Sequence, residues 1–356
     1  MNSSPSAPRP NRLLGIQAAR GVAAFLVCAY HYQNGLSWIV GYVPFWGIFE
    51  FGRSGVDFFF VLSGFIIFLV HADDIDRAHR LPRYTWRRLG RIYPAYWLAT
   101  GVFMLLTFAS GAGTTLLDAD WLIRSLLLAP QPNPPILAIG WSLHHEMVFY
   151  ALFAILIARR AIGVALFALW LAAILSTCVT APSGVGPMNF ISPFDLQFFF
   201  GMAAAYIVRK GRVTAALPMA IFGVILFATI GRLEIAGFVT ATDVAGRVLY
   251  GVASVLITIG VAGAEQQRTL RLGRWADIFG GMSYALYLFH IILLVILQII
   301  FTATGAGAYL PGWLIVGGSM ATTLATAALI HLGFEKPMIA RIYALSVRKN
   351  RGTLPP

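Results

Sequence analysis

The stretch LLGIQAARGVAAFLVCAYHY, residues 13–32, is an apolar run long enough to cross a bilayer as a helix, yet it contains Arg20 and His31. Ten residues separate the two, so eleven helical steps place both side chains on one face, roughly 20° apart in azimuth. The helical rise sets them roughly 16 Å apart along the axis. Titratable groups inside a span are costly, face the protein interior and mark functional sites. The pair therefore predicts a functional site on this helix.

The overall composition excludes a soluble globular protein. Of the 356 residues, 58% are hydrophobic and 11% are charged, and the mean hydropathy is +0.76. Soluble domains have about 25% charged residues. The formal net charge of +12 follows from the positive-inside rule, so we expect a lipid bilayer and no nucleic-acid partner. Cys28 and Cys178, the two cysteines, lie inside apolar runs, so we expect neither a disulfide framework nor a metal site.

Apolar windows separated by basic or Gly/Pro-rich segments predict an all-α, polytopic integral membrane protein with about ten transmembrane helices. The predicted spans are 13–32, 54–71, 92–109, 140–158, 162–180, 194–208, 215–231, 247–264, 281–302 and 313–333. A further apolar stretch, 121–129, is too short to cross and is expected to be interfacial or re-entrant.

Arginine and lysine concentrate in alternate connecting segments, including six arginines from Arg77 to Arg91. The positive-inside rule places these segments and both termini in the cytoplasm. We therefore divide the chain into a cytoplasmic N-terminal tail, 1–12, a membrane domain, 13–340, and a basic cytoplasmic C-terminal tail, 341–356.

The segment RSGVDFFFVLSGF, residues 53–65, combines small residues with an acidic one. Gly55, Ser63 and Gly64 predict close backbone approach between helices. Asp57 is a carboxylate just inside the membrane boundary and needs a partner, for which Arg53, four residues earlier, is one candidate.

The segment RRLGRIYPAYW, residues 87–97, lies at a predicted cytoplasmic helix entrance. Its arginines and aromatic residues fit a simple membrane anchor. Alternatively, Arg88 and Arg91 share one helix face and form a cradle for phosphate groups, since guanidinium groups bind phosphate bidentately. A nucleotide-bearing cofactor would supply those phosphates.

Three further segments place polar residues at span ends or inside spans. In WSLHHEMVFY, residues 141–150, Glu146 is either a helix-capping residue or a carboxylate that orients His31. The adjacent histidines diverge by about 100°, which argues against a shared metal. His290, in the ninth span, is expected to be a buried, hydrogen-bonded histidine without a chemical role. Glu335 and Lys336 are expected to form an ion pair at the end of the tenth span.

Taken in order and spacing, these segments resemble the acyltransferase-3 family of bacterial inner-membrane acyltransferases, from about residue 12 to residue 343. The resemblance implies transfer of an acyl group, most often acetyl from acetyl-CoA, to a hydroxyl of an exported or envelope carbohydrate or a lipid-linked sugar. It makes His31 the essential histidine and Arg20 its partner on the first span. It assigns Arg88 and Arg91 to the coenzyme and places Glu146 in the active site.

On this hypothesis, acetyl-CoA enters from the cytoplasm with its phosphates near Arg88, Arg91 and Arg20. His31 then acts as general base on the acceptor hydroxyl, or carries the acyl group itself, while Glu146 tunes it. The alternative is a proton-coupled transporter or flippase of a lipid-linked or amphipathic solute, with Arg20, His31 and Glu146 as a relay. Against it, the sequence shows no repeated half with matched broken helices.

Overall fold

The computed structural model describes residues 13–111, 118–186, 188, 190–211 and 213–351, and across these ranges it is helical, with no β-strand. The predicted tail 1–12 lies outside the described residues, as do residues 352–356 of the predicted tail 341–356. The α-helices of the described ranges are α1 (Leu14–Val40), α2 (Gly55–His71), α3 (Leu81–Ala109), α4 (Ala119–Leu127), α5 (Trp141–Ala158), α6 (Arg160–Thr180), α7 (Leu196–Arg209), α8 (Ala216–Ile235), α9 (Val244–Gln266), α10 (Arg274–Gly281), α11 (Ser283–Thr304), α12 (Gly312–Ile330) and α13 (Lys336–Arg351).

Eight helices of the described chain, taken with their flanking turns, are long and apolar enough to cross a membrane. They are α2, α3, α5, α6, α8, α9, α11 and α12, and they confirm the prediction of an all-α polytopic membrane protein. The predicted spans 13–32 and 194–208 correspond to α1 and α7, which are not among the eight. α7 has only 14 residues, and the 27 residues of α1 include polar side chains such as Arg20 and His31. The total of ten spans and the cytoplasmic placement of both termini remain predictions.

The third helix starts earlier than its apolar residues indicate. α3 begins at Leu81, with Pro82 in its first turn, whereas the apolar window predicted a span from residue 92. Proline is tolerated there because the first-turn N–H groups have no helical partner. The basic part of the 87–97 segment is therefore continuous with the apolar helix. The apolar stretch 121–129 largely coincides with the separate short helix α4.

The helix that carries Arg20 and His31 lies inside the bundle. α1 packs against α2, α9, α10, α11 and α12. Ala24, Val27 and Cys28 on α1 are fully buried, and the small size of two of these side chains lets the neighbouring helices approach closely. Helices from both halves of the chain thus surround α1.

Glycines set the closest helix contacts, as the 53–65 segment predicts. A Cβ atom on Gly64 would lie 2.2 Å from the carbonyl oxygen of Phe198 on α7. A Cβ atom on Gly201 would lie 2.0 Å from the carbonyl oxygen of Val61 on α2. Since real Cβ atoms do not approach an oxygen this closely, α2 and α7 can cross at this distance only with glycine on both helices.

The partner of Asp57 is Arg247 and not the predicted Arg53. Arg247 on α9 donates a hydrogen bond to Asp57, and Gln197 on α7 donates a second one at 3.1 Å. Arg53 instead pairs with Glu234 at 2.7 Å. The prediction assumed helical spacing, but Arg53 precedes α2 in a 3₁₀ turn, Glu50–Ser54, and its side chain extends to α8. The buried Asp57–Arg247 pair therefore joins α2 to α9.

We expect Gly201→Ala to lower the unfolding temperature of the detergent-purified protein, because its methyl group would push α2 and α7 apart. Gly101→Ala on α3 is the matched control. A Cβ atom there meets no atom within 4 Å, so only the intrinsic helix preference changes, by about 0.5–1 kcal/mol in favour of the helix. Equal unfolding temperatures for the two variants would contradict the close α2–α7 crossing.

We expect Asp57→Ala to destabilise the protein by about 3–5 kcal/mol, because it leaves the Arg247 guanidinium buried without its counter-charge. Asp120→Ala is the control: it breaks an exposed pair with Arg124 within one helix and should cost only about 0.3–0.5 kcal/mol. Thermal unfolding in one detergent measures both. A loss for Asp57→Ala no larger than that for Asp120→Ala would show that the buried pair contributes little.

Candidate functional site

Two cavities meet at Arg20 and Arg91, which line both of them. The first, here called the narrow cavity, has a volume of about 80 Å³ and lies between α1, α2, α3, α5 and α11. Its polar lining comprises Arg20, Ser63, Arg88, Arg91, Ser142, Glu146, Tyr150, Ser283, Tyr284 and Tyr287. The second, the wide cavity, has a volume of about 430 Å³. Its polar lining comprises Gln17, Arg20, Arg91, Asp277, His331, Glu335, Lys336 and Tyr343.

Two arginines, Arg20 and Arg91, lie where the cavities join, and a third, Arg88, lines the narrow cavity. Arg20 comes from α1, is 9% exposed and donates a hydrogen bond to Gln17 at 3.1 Å. Arg88 on α3 donates to His71 Nε2 at 3.2 Å, and its buried Nε has no partner among the described residues. Arg91, one turn further along α3, interacts electrostatically with Arg20. The sequence predicted that Arg88 and Arg91 share one face and lie near Arg20, and all three line the narrow cavity.

The two carboxylates nearest these arginines accept hydrogen bonds from other residues. Glu146 accepts from Ser63 at 2.8 Å and from Tyr150. Glu335 lies 2.8 Å from His331 in a π-helical turn, and this contact replaces the predicted Glu335–Lys336 pair. Both carboxylates interact with Arg20 electrostatically, but within the described ranges neither forms an ion pair with it. N–H groups of the arginines are therefore available to an anionic ligand.

His31 lies apart from this cluster. α1 is helical without interruption from Arg20 to His31, so the predicted spacing of roughly 16 Å holds. His31 Nδ1 lies 2.8 Å from the Val27 carbonyl oxygen and 3.2 Å from Nε2 of His290 on α11. The predicted contact between His31 and Glu146 is absent from the hydrogen bonds of the described residues. Glu146 instead faces α2, where it accepts a hydrogen bond from Ser63.

Tyr287 connects the narrow cavity with the histidine pair. Its hydroxyl donates to the Ile139 carbonyl oxygen at 3.0 Å and lies 2.6 Å from the Ser142 hydroxyl, which therefore donates to it. Its ring lines the cavity, and its centroid is 6.1 Å from that of His290. Tyr287 therefore borders both the narrow cavity and the histidine pair.

The contact of His290 with His31 is the part of the site that sequence reasoning missed. The sequence suggested a buried histidine without a chemical role, and His290 is indeed fully buried. One available signal was its type: a titratable residue inside a predicted span, to which the rule applied to His31 also applies. What the sequence could not supply is the rotation of α11 that turns this side chain towards α1.

The described part of the chain contains no metal-binding cluster. Across the described ranges, no three His, Cys, Asp or Glu side chains are grouped to hold an ion. The adjacent histidines of α5 diverge, as their spacing predicts. His145 Nδ1 lies 2.8 Å from Asp195, whereas both ring nitrogens of His144 are buried without a partner among the described residues.

Comparison with known proteins places this architecture in a family. The model of the "Acyltransferase domain" family matches residues 13–332. The chain is also 30% identical to the "Exopolysaccharide production protein ExoZ" of Rhizobium meliloti (strain 1021) over 302 residues, which cover 82% of this chain and 91% of that protein. No solved structure matches the chain. The chain therefore belongs to the acyltransferase-3 family of membrane acyltransferases.

Proposed function

We propose that this protein transfers a short acyl group, acetyl in the simplest case, from acyl-CoA to a hydroxyl of an exopolysaccharide or its lipid-linked precursor at the bacterial inner membrane. The family supports acyl transfer, and the name of the Rhizobium relative supports an exopolysaccharide acceptor. The observation that carries the proposal is a group of three arginines at the cavities: Arg20 and Arg91 line both cavities, and Arg88 lines the narrow one.

The two cavities suit the two ends of an acyl-CoA molecule. The wide cavity, of about 430 Å³, would hold the bulky nucleotide, whose phosphates face the guanidinium groups at the junction. The narrow cavity, of about 80 Å³, would hold the slender thioester end. The roughly 16 Å between Arg20 and His31 suits the long arm that joins the two ends.

His31 would act as general base on the acceptor hydroxyl. It removes the hydroxyl proton while the oxygen bonds to the thioester carbonyl carbon; the C–S bond then breaks, and the proton passes to the leaving sulfur. In the variant route, His31 first bonds to the thioester carbonyl carbon and CoA leaves as the thiolate; the acceptor oxygen then displaces His31 from that carbon, and the acceptor proton goes to the thiolate sulfur. Glu146 does not contact His31, so we assign it a role at the arginine cluster, where Ser63 and Tyr150 hold it against the cations.

Label transfer in membranes tests this function. Inside-out vesicles that contain the protein and native envelope acceptors receive acetyl-CoA labelled in the acetyl group, and alkali-labile esters are counted. We expect His31→Ala to reduce labelling by about 10²-fold or more, because general-base catalysis is typically worth that much. His79→Ala, on an exposed turn, should match the wild type. If wild-type vesicles move label from no short acyl-CoA, the proposal fails and the transporter hypothesis becomes the better one.

Coenzyme binding tests the arginine cluster separately. We expect the double change Arg88→Ala with Arg91→Ala to weaken binding of acetyl-CoA to the purified protein by about 10²-fold or more, since a hydrogen bond to a charged group contributes about 1.5–3 kcal/mol. Arg83→Ala is the control, because Arg83 lies on the same helix but is exposed and lines neither cavity. Equal affinities for the two variants would show that Arg88 and Arg91 do not bind acetyl-CoA.

A further inference from the structure

The two histidines that meet between α1 and α11 have the same local arrangement. The Nδ1 atom of each faces a main-chain carbonyl oxygen four residues earlier: Val27 for His31, at 2.8 Å, and Leu286 for His290, at 3.1 Å. A carbonyl oxygen can only accept a hydrogen bond. In the neutral form of each ring, Nδ1 therefore carries the proton and Nε2 carries the lone pair.

This assignment gives the contact between the rings a direction. His290 Nε2 lies 3.2 Å from His31 Nδ1. Because His290 Nε2 bears a lone pair, the Nδ1–H of His31 donates to it as well as to the Val27 carbonyl. The chain of donors runs from His31 to His290 to the Leu286 carbonyl, and it leaves the lone pair of His31 on Nε2. No group hydrogen-bonds that Nε2 within the described ranges, so it is free to accept a proton.

The surrounding contacts hold the two rings in this orientation. The Tyr32 hydroxyl donates to the main-chain carbonyl of His290 at 3.2 Å and also contacts the Thr323 hydroxyl at 2.5 Å. Tyr32 directly follows His31, so α1, α11 and α12 are tied together at the level of the pair. His290 and Tyr32 are both fully buried, which keeps water from competing for the contact.

We propose that His290 is a positioning residue for His31, an inference that rests on the proposed function. Together with the Val27 carbonyl, it keeps His31 in the tautomer whose Nε2 can take the proton of the acceptor hydroxyl. When that proton arrives, His31 becomes an imidazolium, and the neutral His290 Nε2 accepts the hydrogen bond from its charged Nδ1–H. The proton then leaves from His31 Nε2 to the sulfur of the departing CoA, so both rings return to their starting state. In the serine–histidine–aspartate triad, a carboxylate holds the histidine in its tautomer and stabilises the imidazolium in the same way.

Two substitutions separate positioning from simple packing. In His290→Gln, the side-chain oxygen can occupy the place of ring Nε2 and accept from His31. His290→Phe fills the space without an acceptor. With labelled acetyl-CoA, we expect His290→Phe to lower kcat about 10–100-fold, as when a metal-bound histidine loses its outer hydrogen-bond partner, while the KM for acetyl-CoA changes less than twofold. His290→Gln should retain kcat within tenfold of the wild type. A wild-type kcat in His290→Phe, or equal losses in both variants, overturns the proposal.

A measurement on the unaltered protein guards against variants that fail to fold. Nitrogen-15 NMR of the full chain in detergent, labelled in the histidine rings, distinguishes protonated from unprotonated ring nitrogens. The signals of His31 and His290 are identified by their loss in His31→Gln and His290→Gln. We expect both residues to carry the proton on Nδ1, and a His31 protonated on Nε2 overturns the proposal. If wild-type protein transfers no label, the proposed function fails, whereas the NMR result still decides the histidine arrangement.

Discussion

The cost of placing charged and titratable side chains in an apolar medium governs this structure. α1 carries Arg20 and His31 within one helix, so neither can face lipid without a large penalty. The bundle meets this constraint by enclosing α1 between helices from both halves of the chain, α2 on one side and α9 to α12 on others. Every other element of the site follows from this enclosure, because the neighbours of α1 must supply polar partners at the two levels where it is polar.

Those partners differ between the two levels. At the level of Arg20 the neighbouring groups are Arg88, Arg91 and Glu146, and the charge there is predominantly positive. At the level of His31 the partner is His290, and the main-chain carbonyl oxygens of Val27 and Leu286 each face the Nδ1 atom of one ring. The first level suits the binding of an anionic ligand, and the second suits the uptake and release of one proton. The helical rise between the levels gives the site its length.

Much of this arrangement could be predicted from the sequence, because it depends on local properties of the chain. Hydropathy indicated the helical class, and helical periodicity placed Arg20 with His31 and Arg88 with Arg91 on common faces. Two of the errors concern partners on different helices. Arg53 was a candidate partner of Asp57 by spacing, and Glu146 was assigned to His31 by depth, yet each pairs elsewhere. Such pairings depend on how packed helices rotate and slide against one another, which no single segment records.

Structural and functional charges in this fold differ in their nearest partners. Intramembrane position alone would mark Asp57 as strongly as Arg20. In the structure, however, Asp57 and Arg247 neutralise each other directly, and Gln197 on a third helix donates to the same carboxylate. Arg20, Arg88 and Arg91 lie beside carboxylates that already accept hydrogen bonds from Ser63, Tyr150 and His331. A buried charge with a direct counter-ion stabilises the fold at that point. A group of like charges whose nearest counter-ions are engaged elsewhere gains most when a ligand brings the missing negative charge, and here that group borders the two cavities.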